Sequence, residues 1–297
     1  MLAVPWWIPL SSCGTCVAGH GCWQTGGVEP GAEVPVGDRG SRAGRPGRYG
    51  IDGGFAGLAV FGVMEAGLAG TVAWAVRRRR RAVAALAVAG GAAVAGSAAS
   101  YLYSTGPGKR VIWAQLLDEL GLRGDEHVLD VGCGRGAVLM LAARRLPAGR
   151  AVGADIWRRR DQSGNSRAAT QRNAAAEGVT GRVELADADA RDLPFASASF
   201  DVVVSSLAIS NIRDADGRAR ALREAVRVLR PGGRLRIVDD GADRYAAVLR
   251  EAGCADVAVR QLGWRTWYGL PGHHLPLVEA ARPQASPVTG ASASAWS

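Results

Sequence analysis

HVLDVGCGRGAVLML, residues 127–141, consists of an apolar run, a turn rich in glycine and a second apolar run. The first run is typical of a buried strand, and the second has the spacing of a helix. Gly132, Gly134 and Gly136 stand between them. Because glycine has no side chain, a ligand can approach the backbone closely at such a turn. The stretch therefore predicts a strand, a ligand-binding turn and a helix.

Alternating strands and helices continue along the chain after this turn. Strands are predicted at 127–132, 150–155, 182–186, 200–206, 233–239, 255–262 and 274–280, and helices at 111–121, 136–146, 166–177, 216–229 and 242–252. We therefore expect an α/β fold for residues 105–281, with a doubly wound, mostly parallel seven-stranded sheet. In such sheets, ligands bind at the carboxyl ends of the strands.

Two apolar segments precede this domain. Residues 54–76 contain one charge, Glu65, residues 82–103 contain none, and RRRRR at 77–81 separates them. The first segment is long enough to cross a bilayer. Residues 54–104 are therefore predicted as two apolar helices forming a membrane hairpin, and the alternative is an Ala-rich hairpin buried in a soluble protein. A stripe of small residues, Gly62, Ala66 and Gly70, is expected to let the two helices approach closely.

The two ends of the chain lack sustained periodicity. Residues 1–53 are rich in Gly, Pro, Arg and Ser and are predicted as a disordered leader, and residues 282–297 as a disordered tail. Cys13, Cys16, His20 and Cys22 could ligate zinc, but their cluster lacks the usual spacer, so no metal site is predicted. The lipoprotein-like LSSC at 10–13 has no preceding basic residue, which disfavours a secretory signal.

The charge of the chain is uneven. Its net charge is +9, and residues 1–110 hold eleven basic against five acidic side chains. This excess lies beside the apolar segments, so it favours a membrane surface over nucleic acid. Lys109 is the single lysine of the chain. A P-loop, a protein kinase site and a pyridoxal site each need a lysine in a sequence context that is missing here.

The glycine turn is compatible with two kinds of ligand. Gly132, Gly134 and Ala137 satisfy the dinucleotide pattern GxGxxG/A, and Asp155 lies where that pattern expects a ribose-binding acid. The helix after the turn presents free N–H groups to a pyrophosphate or, equally, to the carboxylate of a methionine moiety. Asp130, just before the turn, is awkward for a pyrophosphate and useful for an ammonium group.

Further motifs follow in a characteristic order: ADADARDLPF at 186–195, FDVVVSSLAISNI at 200–212 and LREAVRVLRPGGRLRIVDD at 222–240. With VLDVGCGRG, they resemble the class I S-adenosylmethionine-dependent methyltransferases, in the branch called methyltransferase type 11, over roughly residues 110–280. The apolar pair followed by DIWRRRDQSGNS also looks like a membrane-anchored bacterial group of that family. The resemblance implies S-adenosyl-L-methionine as cofactor.

The resemblance implies roles for residues at the methionine end of this cofactor. Gly132 and Gly134 would pack under the methionine part, and Asp130 would hold its ammonium group. Ser205, at the end of the fourth strand, would face the methionine moiety.

The resemblance also implies roles at the nucleoside end. Asp155 would bind the two ribose hydroxyls, and Ile156 would lie against the adenine ring. Asp189 would accept a hydrogen bond from the adenine amino group while the Ala190 N–H donates to the ring, with Asp187 as a competitor of Asp189.

The sequence contains few motifs that indicate the acceptor of the methyl group. No (D/N/S)PP(Y/F/W) motif follows the fourth strand, which argues against amino methylation, and Ser210 and Asn211 are the candidate catalytic residues that would orient the acceptor. We expect methyl transfer to a small apolar or lipid-like acceptor at the cell membrane. The catalytic domain would face the cytoplasm, where the cofactor is made. The alternatives are a nicotinamide-dependent oxidoreductase and a non-catalytic membrane-bound binding module.

Overall fold

The computed structural model describes residues 47–53, 56–269 and 274–284. A seven-stranded sheet lies at its centre, in the order β3-β2-β1-β4-β5-β7-β6. Neighbouring strands are parallel except at β7, which is antiparallel to both β5 and β6. The strands are β1 His127–Val131, β2 Arg150–Asp155, β3 Val183–Asp187, β4 Phe200–Ser206, β5 Leu229–Val238, β6 Ala255–Gln261 and β7 Pro276–Ala281. The predicted fold class is confirmed.

Helices cover both faces of the sheet. They are α1 Ala56–Arg77, α2 Arg81–Tyr103, α3 Lys109–Glu119, α4 Ala137–Arg144, α5 Arg167–Ala176, α6 Ala215–Val228 and α7 Ala242–Glu251. The side chains of α3 and α4 belong to the apolar core on one face, and those of α6 and α7 to the core on the other. Ser166 caps the start of α5 by accepting a hydrogen bond from the Ala169 N–H.

The strand order reverses direction between β1 and β4. The chain places β2 and then β3 on one side of β1, and it places β4 and β5 on the other. The connections after β1 and β4 therefore leave the sheet toward opposite sides, and a crevice opens between them at the carboxyl ends of the strands. This crevice contains the glycine turn that follows β1.

Helices α1 and α2 form an antiparallel pair, but the predicted stripe of small residues on α1 does not join them. Gly62 and Gly70 have nothing within 4 Å of the position that a Cβ would take, and Ala66 is exposed. The close approach is instead made by glycines of α2, whose Cβ positions would lie 3.3 Å from side-chain atoms of α1: Gly90 from Leu68, and Gly91 from Glu65. The four-residue spacing of small residues in α1 therefore marks the outer face of this helix and not the face that packs against α2.

The outer face of this pair is apolar. Large hydrophobic side chains are exposed along both helices: Val60, Val63, Met64, Trp74, Val76, Leu86, Val88 and Leu102. The helical segments Leu58–Arg77 and Arg81–Glu119 are long and apolar enough to cross a membrane, and 11% of the most apolar window of each is buried. A hairpin serving as the core of a soluble domain would bury this face.

The second segment is one continuous helical rod. A π-helical turn, Ser104–Gly108, joins α2 to α3 without a break. Pro107 lies inside this turn. Because proline lacks an N–H, the local hydrogen-bond pattern of the α-helix cannot be maintained there. The membrane-length helix α2 therefore leads directly into α3, the first helix of the α/β domain.

The loop between β6 and β7 holds the base of the helical pair. The backbone oxygen of Trp267 accepts hydrogen bonds from the Ser100 and Ser104 hydroxyls, at 2.9 and 2.8 Å. The rings of Tyr103 and Trp264 stack at a centroid distance of 5.4 Å. These contacts fix the base of the pair against the domain.

Residues 47–53, the carboxyl end of the predicted leader, lie along the α/β domain. Gly53 N donates to Asp161 O at 2.8 Å, Ile51 N donates to the Ser163 hydroxyl at 2.8 Å, and Tyr49 donates to the Glu177 carboxylate. We call residues 47–53 the N-terminal strap. The Cys13–Cys22 cluster, LSSC at 10–13 and residues 285–297 of the predicted tail lie outside the described residues.

Candidate functional site

A cavity occupies the crevice at the carboxyl ends of β1, β2 and β4. Its walls come from the glycine turn, the ends of β2 and β4, the loops that follow β2, β3 and β4, the N-terminal strap and the start of α3. Among the residues that line it are Asp52, Lys109, Asp130, Gly132, Gly134, Asp155, Ile156, Arg158, Gln162, Asp189, Ala190, Ser206 and Asn211. The structure thus brings most of the predicted site residues together.

The glycines of the turn are required by contacts within the chain. Gly132 and Gly134 have φ angles of 72° and 53°, in the left-handed region. A Cβ on Gly132 would lie 2.1 Å from the Ala208 Cβ, and one on Gly134 would lie 2.5 Å from Gln162 Oε1. Neither position has room for a side chain, and the neighbours that exclude it are the loops after β4 and β2. The predicted approach of a ligand stays a prediction.

The amides of the turn itself are engaged. The backbone N–H groups of five consecutive residues donate within the chain: Gly132 and Cys133 to Ala154 O, Gly134 to Asp155 Oδ2, Arg135 to Gln162 Oε1 and Gly136 to Cys133 O. A carboxylate in this cavity would compete with those acceptors. A positively charged side chain is therefore the better partner for a carboxylate here.

Asp130 is the unpaired acid of the site. It is 1% exposed, and neither of its carboxylate oxygens has a hydrogen-bond partner of normal geometry within the described part of the chain. Burial raises the pKa of Asp130 to about 7, although the nearby Lys109 lowers it and Asp155 raises it further. A buried carboxylate without a partner is costly. A cationic ligand group would supply the missing donors.

Asp155 ends β2 and is a fully engaged carboxylate. Its Oδ2 accepts from Gly134 N at 2.8 Å, and its Oδ1 accepts from Trp157 N at 2.5 Å and from Asn165 Nδ2 at 3.2 Å. Burial raises the pKa of Asp155, and the hydrogen bonds from Gly134, Trp157 and Asn165 oppose this effect. Asp155 lines the cavity at the position predicted for ribose recognition.

The nucleoside end of the prediction is also assembled. Ile156 is 42% exposed and presents an apolar side chain to the cavity, together with Asp189 and Ala190. Arg191 lowers the pKa of Asp189 by donating to both of its oxygens. Asp187, the competing candidate, is exposed and does not line the cavity, because Trp157 and Arg167 hold it at the surface.

Ser205, predicted to face the methionine moiety, does not line the cavity. The Ser205 hydroxyl donates to Val131 O at 2.9 Å inside the sheet, and the residue is 1% exposed. Successive side chains of a strand point to opposite faces. Ser206 lines the cavity instead, and its hydroxyl accepts a hydrogen bond from Trp113 Nε1 at 3.0 Å.

The two candidate acceptor residues are separated by the structure. Asn211 is exposed at the rim of the cavity, and its side chain donates to Leu207 O at 2.9 Å. Ser210 does not line the cavity, and its backbone N–H donates to Asp239 Oδ2 at 3.0 Å. Asp239 is buried, and burial raises its pKa to about 6. Asp239 therefore holds the loop that carries Asn211.

Several polar residues of the cavity wall were missed from the sequence, Lys109 and Asp52 among them. Lys109 Nζ lies 2.6 Å from Asp52 Oδ2, and both residues are 9% exposed. Asp52 also accepts from Gln162 Nε2 and from the Tyr268 hydroxyl, each at 3.2 Å. Burial, reinforced by Asp52, raises the pKa of Tyr268 well above its usual value. Only Lys109 carried a usable signal, because it is the single lysine of the chain.

Within residues 47–53, 56–269 and 274–284, no group of three or more His, Cys, Asp or Glu side chains is arranged to hold a metal ion.

Comparison with known proteins places a recognised domain over this site. Residues 129–237 match the family described as a methyltransferase domain. The 27-O-demethylrifamycin SV methyltransferase of Amycolatopsis mediterranei (strain S699) is 35% identical over 157 residues, which are 50% of this chain and 53% of that protein. The ubiquinone/menaquinone biosynthesis C-methyltransferase UbiE of Pseudomonas entomophila (strain L48) is 34% identical over 134 residues, 44% of this chain and 49% of that protein.

The chain therefore spans about half the length of the curated relatives it matches. Among solved structures, a SAM dependent methyltransferase from Aquifex aeolicus aligns with a TM-score of 0.45 and 20% identity, over 56% of this chain and 87% of that one. The match to a methyltransferase domain over residues 129–237 includes Asp130, the glycine turn, Asp155 and Asp189.

Proposed function

We propose that this protein is an S-adenosylmethionine-dependent methyltransferase that acts on a small apolar or lipid-like acceptor at the cytoplasmic face of the cell membrane. The observation that carries the proposal is Asp130. It is a buried carboxylate that has no hydrogen-bond partner of normal geometry within the described residues, and it lies beside a glycine turn, in the cavity of a matched methyltransferase domain. A cofactor with an ammonium group satisfies it.

The remaining residues of the cavity suit the other parts of this cofactor. Asp155 can exchange its present hydrogen bonds for those of two ribose hydroxyls, and Ile156 offers an apolar surface to the adenine ring. Asp189 and the Ala190 N–H lie where a purine edge can be read by one acceptor and one donor. This set pairs one protein group with each polar part of the ligand.

When bound, the cofactor supplies a methyl group already attached to a strong leaving group. The task left to the chain is to align the acceptor with that methyl and to exclude water. Asn211, at the rim of the cavity, would orient the acceptor, with Asp239 holding its loop. A general base is needed only if the acceptor is a hydroxyl or an acidic carbon.

The helical pair supports an apolar acceptor and action at a membrane. Its outward-facing Val, Leu, Met and Trp side chains would be solvated by lipid. Its base and the cavity share residues, because Asp52 precedes α1 and Lys109 follows α2, and both line the cavity. An acceptor dissolved in the bilayer would therefore meet the active site close to the interface. The two relatives are named for 27-O-demethylrifamycin SV and for ubiquinone/menaquinone biosynthesis.

The full chain, purified in detergent and returned to vesicles of bacterial lipid, should be incubated with methyl-labelled S-adenosylmethionine. We expect label in the organic extract of the vesicles when fractionated membrane lipids are added, and none with the Asp130→Asn variant. Label confined to a water-soluble metabolite would overturn the acceptor class. Binding of a nicotinamide cofactor, with no binding of S-adenosylmethionine, would replace the methyltransferase by an oxidoreductase.

A further inference from the structure

We propose that Lys109, held in place by Asp52 of the N-terminal strap, binds the carboxylate of the amino-acid end of the cofactor. The chain segments on both sides of the apolar pair then complete the cofactor site. This inference rests on the proposed function, and it assigns a role to two residues that lie outside the matched domain at 129–237.

A carboxylate in the cavity can be bound through charge by the cationic side chains of the wall. The amides of residues 132–136 donate to acceptors of the chain itself. Two cationic side chains line the cavity, Lys109 and Arg158. A carboxylate held by an ion pair there must use one of these two.

The position of each cation decides between them. The amino-acid end of the cofactor carries its ammonium and its carboxylate on one carbon, so the groups that bind them must be neighbours. Lys109 is close enough to Asp130 to lower its pKa, after the opposing and larger effect of burial. Arg158 lies near Asp189, the residue predicted to contact the adenine, because it adds to the effect of Arg191 in lowering the pKa of Asp189. Lys109 is therefore the cation beside the ammonium site.

Lys109 also has donors to spare. An ammonium group can donate three hydrogen bonds, and Asp52 is its one ion-pair partner in the described part of the chain. Asp52 in turn keeps two other donors, Gln162 and Tyr268, at 3.2 Å each. The lysine is thus fixed at a buried position with its remaining N–H groups uncommitted. Asp130 and Lys109 together present one negative and one positive group, as a zwitterion requires.

The test compares ligands that differ only in the carboxylate. Binding of S-adenosylmethionine and of decarboxylated S-adenosylmethionine to the full chain in detergent is measured by calorimetry. We expect the unmodified protein to prefer the carboxylate-bearing ligand by on the order of tenfold to a hundredfold, as for a charge-assisted hydrogen bond. Lys109→Met should remove this preference by weakening S-adenosylmethionine alone.

Arg158→Met is the matched control, because it removes the other cation of the cavity. It should leave the ratio of the two affinities unchanged. Asp52→Asn/Lys109→Met removes both charges of the buried pair, and it replaces the single variant if that one fails to fold. Circular dichroism verifies folding in each case.

The outcomes separate the two proposals. Loss of the preference in Lys109→Met with retention in Arg158→Met supports the role of Lys109. Retention in Lys109→Met, or loss in Arg158→Met instead, overturns it. Equal affinity of the unmodified protein for both ligands overturns the role of Lys109 and leaves the cofactor assignment standing. No binding of either ligand overturns the proposed function itself.

Discussion

Lys109 Nζ and Asp52 Oδ2 lie 2.6 Å apart, although both apolar helices separate the two residues along the chain. The ion pair is buried and lies in the wall of the cavity. A buried pair of this kind is strongly destabilising when one partner is removed. The apolar pair is therefore joined to the cavity at both of its ends and is not a detachable anchor.

Removal of the segment before residue 105 should abolish cofactor binding. A chain that begins at residue 105 lacks Asp52, loses the partner of Lys109 and exposes the surface that residues 47–53 cover. A chain that begins at residue 47 keeps all of these contacts and is the control. Calorimetry with S-adenosylhomocysteine, in detergent, compares them. Equal affinity of the two chains would show that the N-terminal strap has no part in the site.

Cofactor binding should release a proton below neutral pH. Burial raises the pKa of Asp130 to about 7, and the ionised form is the one that holds an ammonium group. At about pH 6 most molecules must therefore lose this proton on binding, and at about pH 8 few must. Affinity should rise between these two values. Calorimetry in buffers of different ionisation enthalpy counts the protons.

The Asp130→Asn variant is the control for that measurement, since it has no proton to release at this position. Without ligand, the raised pKa also makes the folded protein bind a proton that the unfolded chain gives up. This contribution to the free energy of unfolding is full below the unfolded pKa and is lost as the pH rises through about 7. Proton uptake on binding at about pH 6 would contradict the assignment.

Gly134→Ala should weaken cofactor binding far more than it destabilises the fold. Its φ is 53°, and an added Cβ would lie 2.5 Å from Gln162 Oε1 in the wall of the cavity. Gly121→Ala is a matched control, because Gly121 has a φ of 56° and nothing within 4 Å of its Cβ position. Both variants should lose about 1 kcal/mol from backbone strain. Only Gly134→Ala should lower affinity, by calorimetry, and equal affinities would refute this prediction.

The arginine turn between α1 and α2 should lie outside the cell, with the methyltransferase domain inside. A single cysteine at position 79, in a Cys-free background, should react with an impermeant thiol reagent on intact cells. One at position 250 should react only after lysis. A further single cysteine, at position 40, tests the alternative topology. If it is labelled and the cysteine at 79 is not, α1 crosses the membrane once with the amino terminus outside. Labelling at 250 on intact cells would place the domain on the wrong side for its cofactor.

Local patterns were sufficient to predict the sheet and the acidic residues at its strand ends. The apolar runs predicted all seven strands, with the largest difference at β5, which begins at Leu229 because that residue pairs with Phe200 ahead of a β-bulge. Asp130 and Asp155 could be found because strand, glycine turn and acid follow one another within the chain.

The sequence could not predict features that depend on contacts between segments far apart along the chain. Asp52 and Tyr268 are 216 residues apart, so no local pattern pairs them. Spacing in α1 could not tell the packed face from the outer face, because the helix is apolar all round. The register of β4 placed Ser206 in the cavity instead of Ser205, since one residue along a strand changes the face.

The continuous helix Arg81–Glu119 sets the distance between the end of α2 and the wall of the cavity. At about 1.5 Å per residue, Lys109 lies about 9 Å along the rod beyond Tyr103, the last residue of α2. If α2 spans a bilayer with Tyr103 at its surface, the cavity stands at a fixed height among the lipid headgroups. Acceptors would then be sorted by depth as well as by chemistry, and an atom near the bilayer midplane would stay out of reach until its molecule rose to that height.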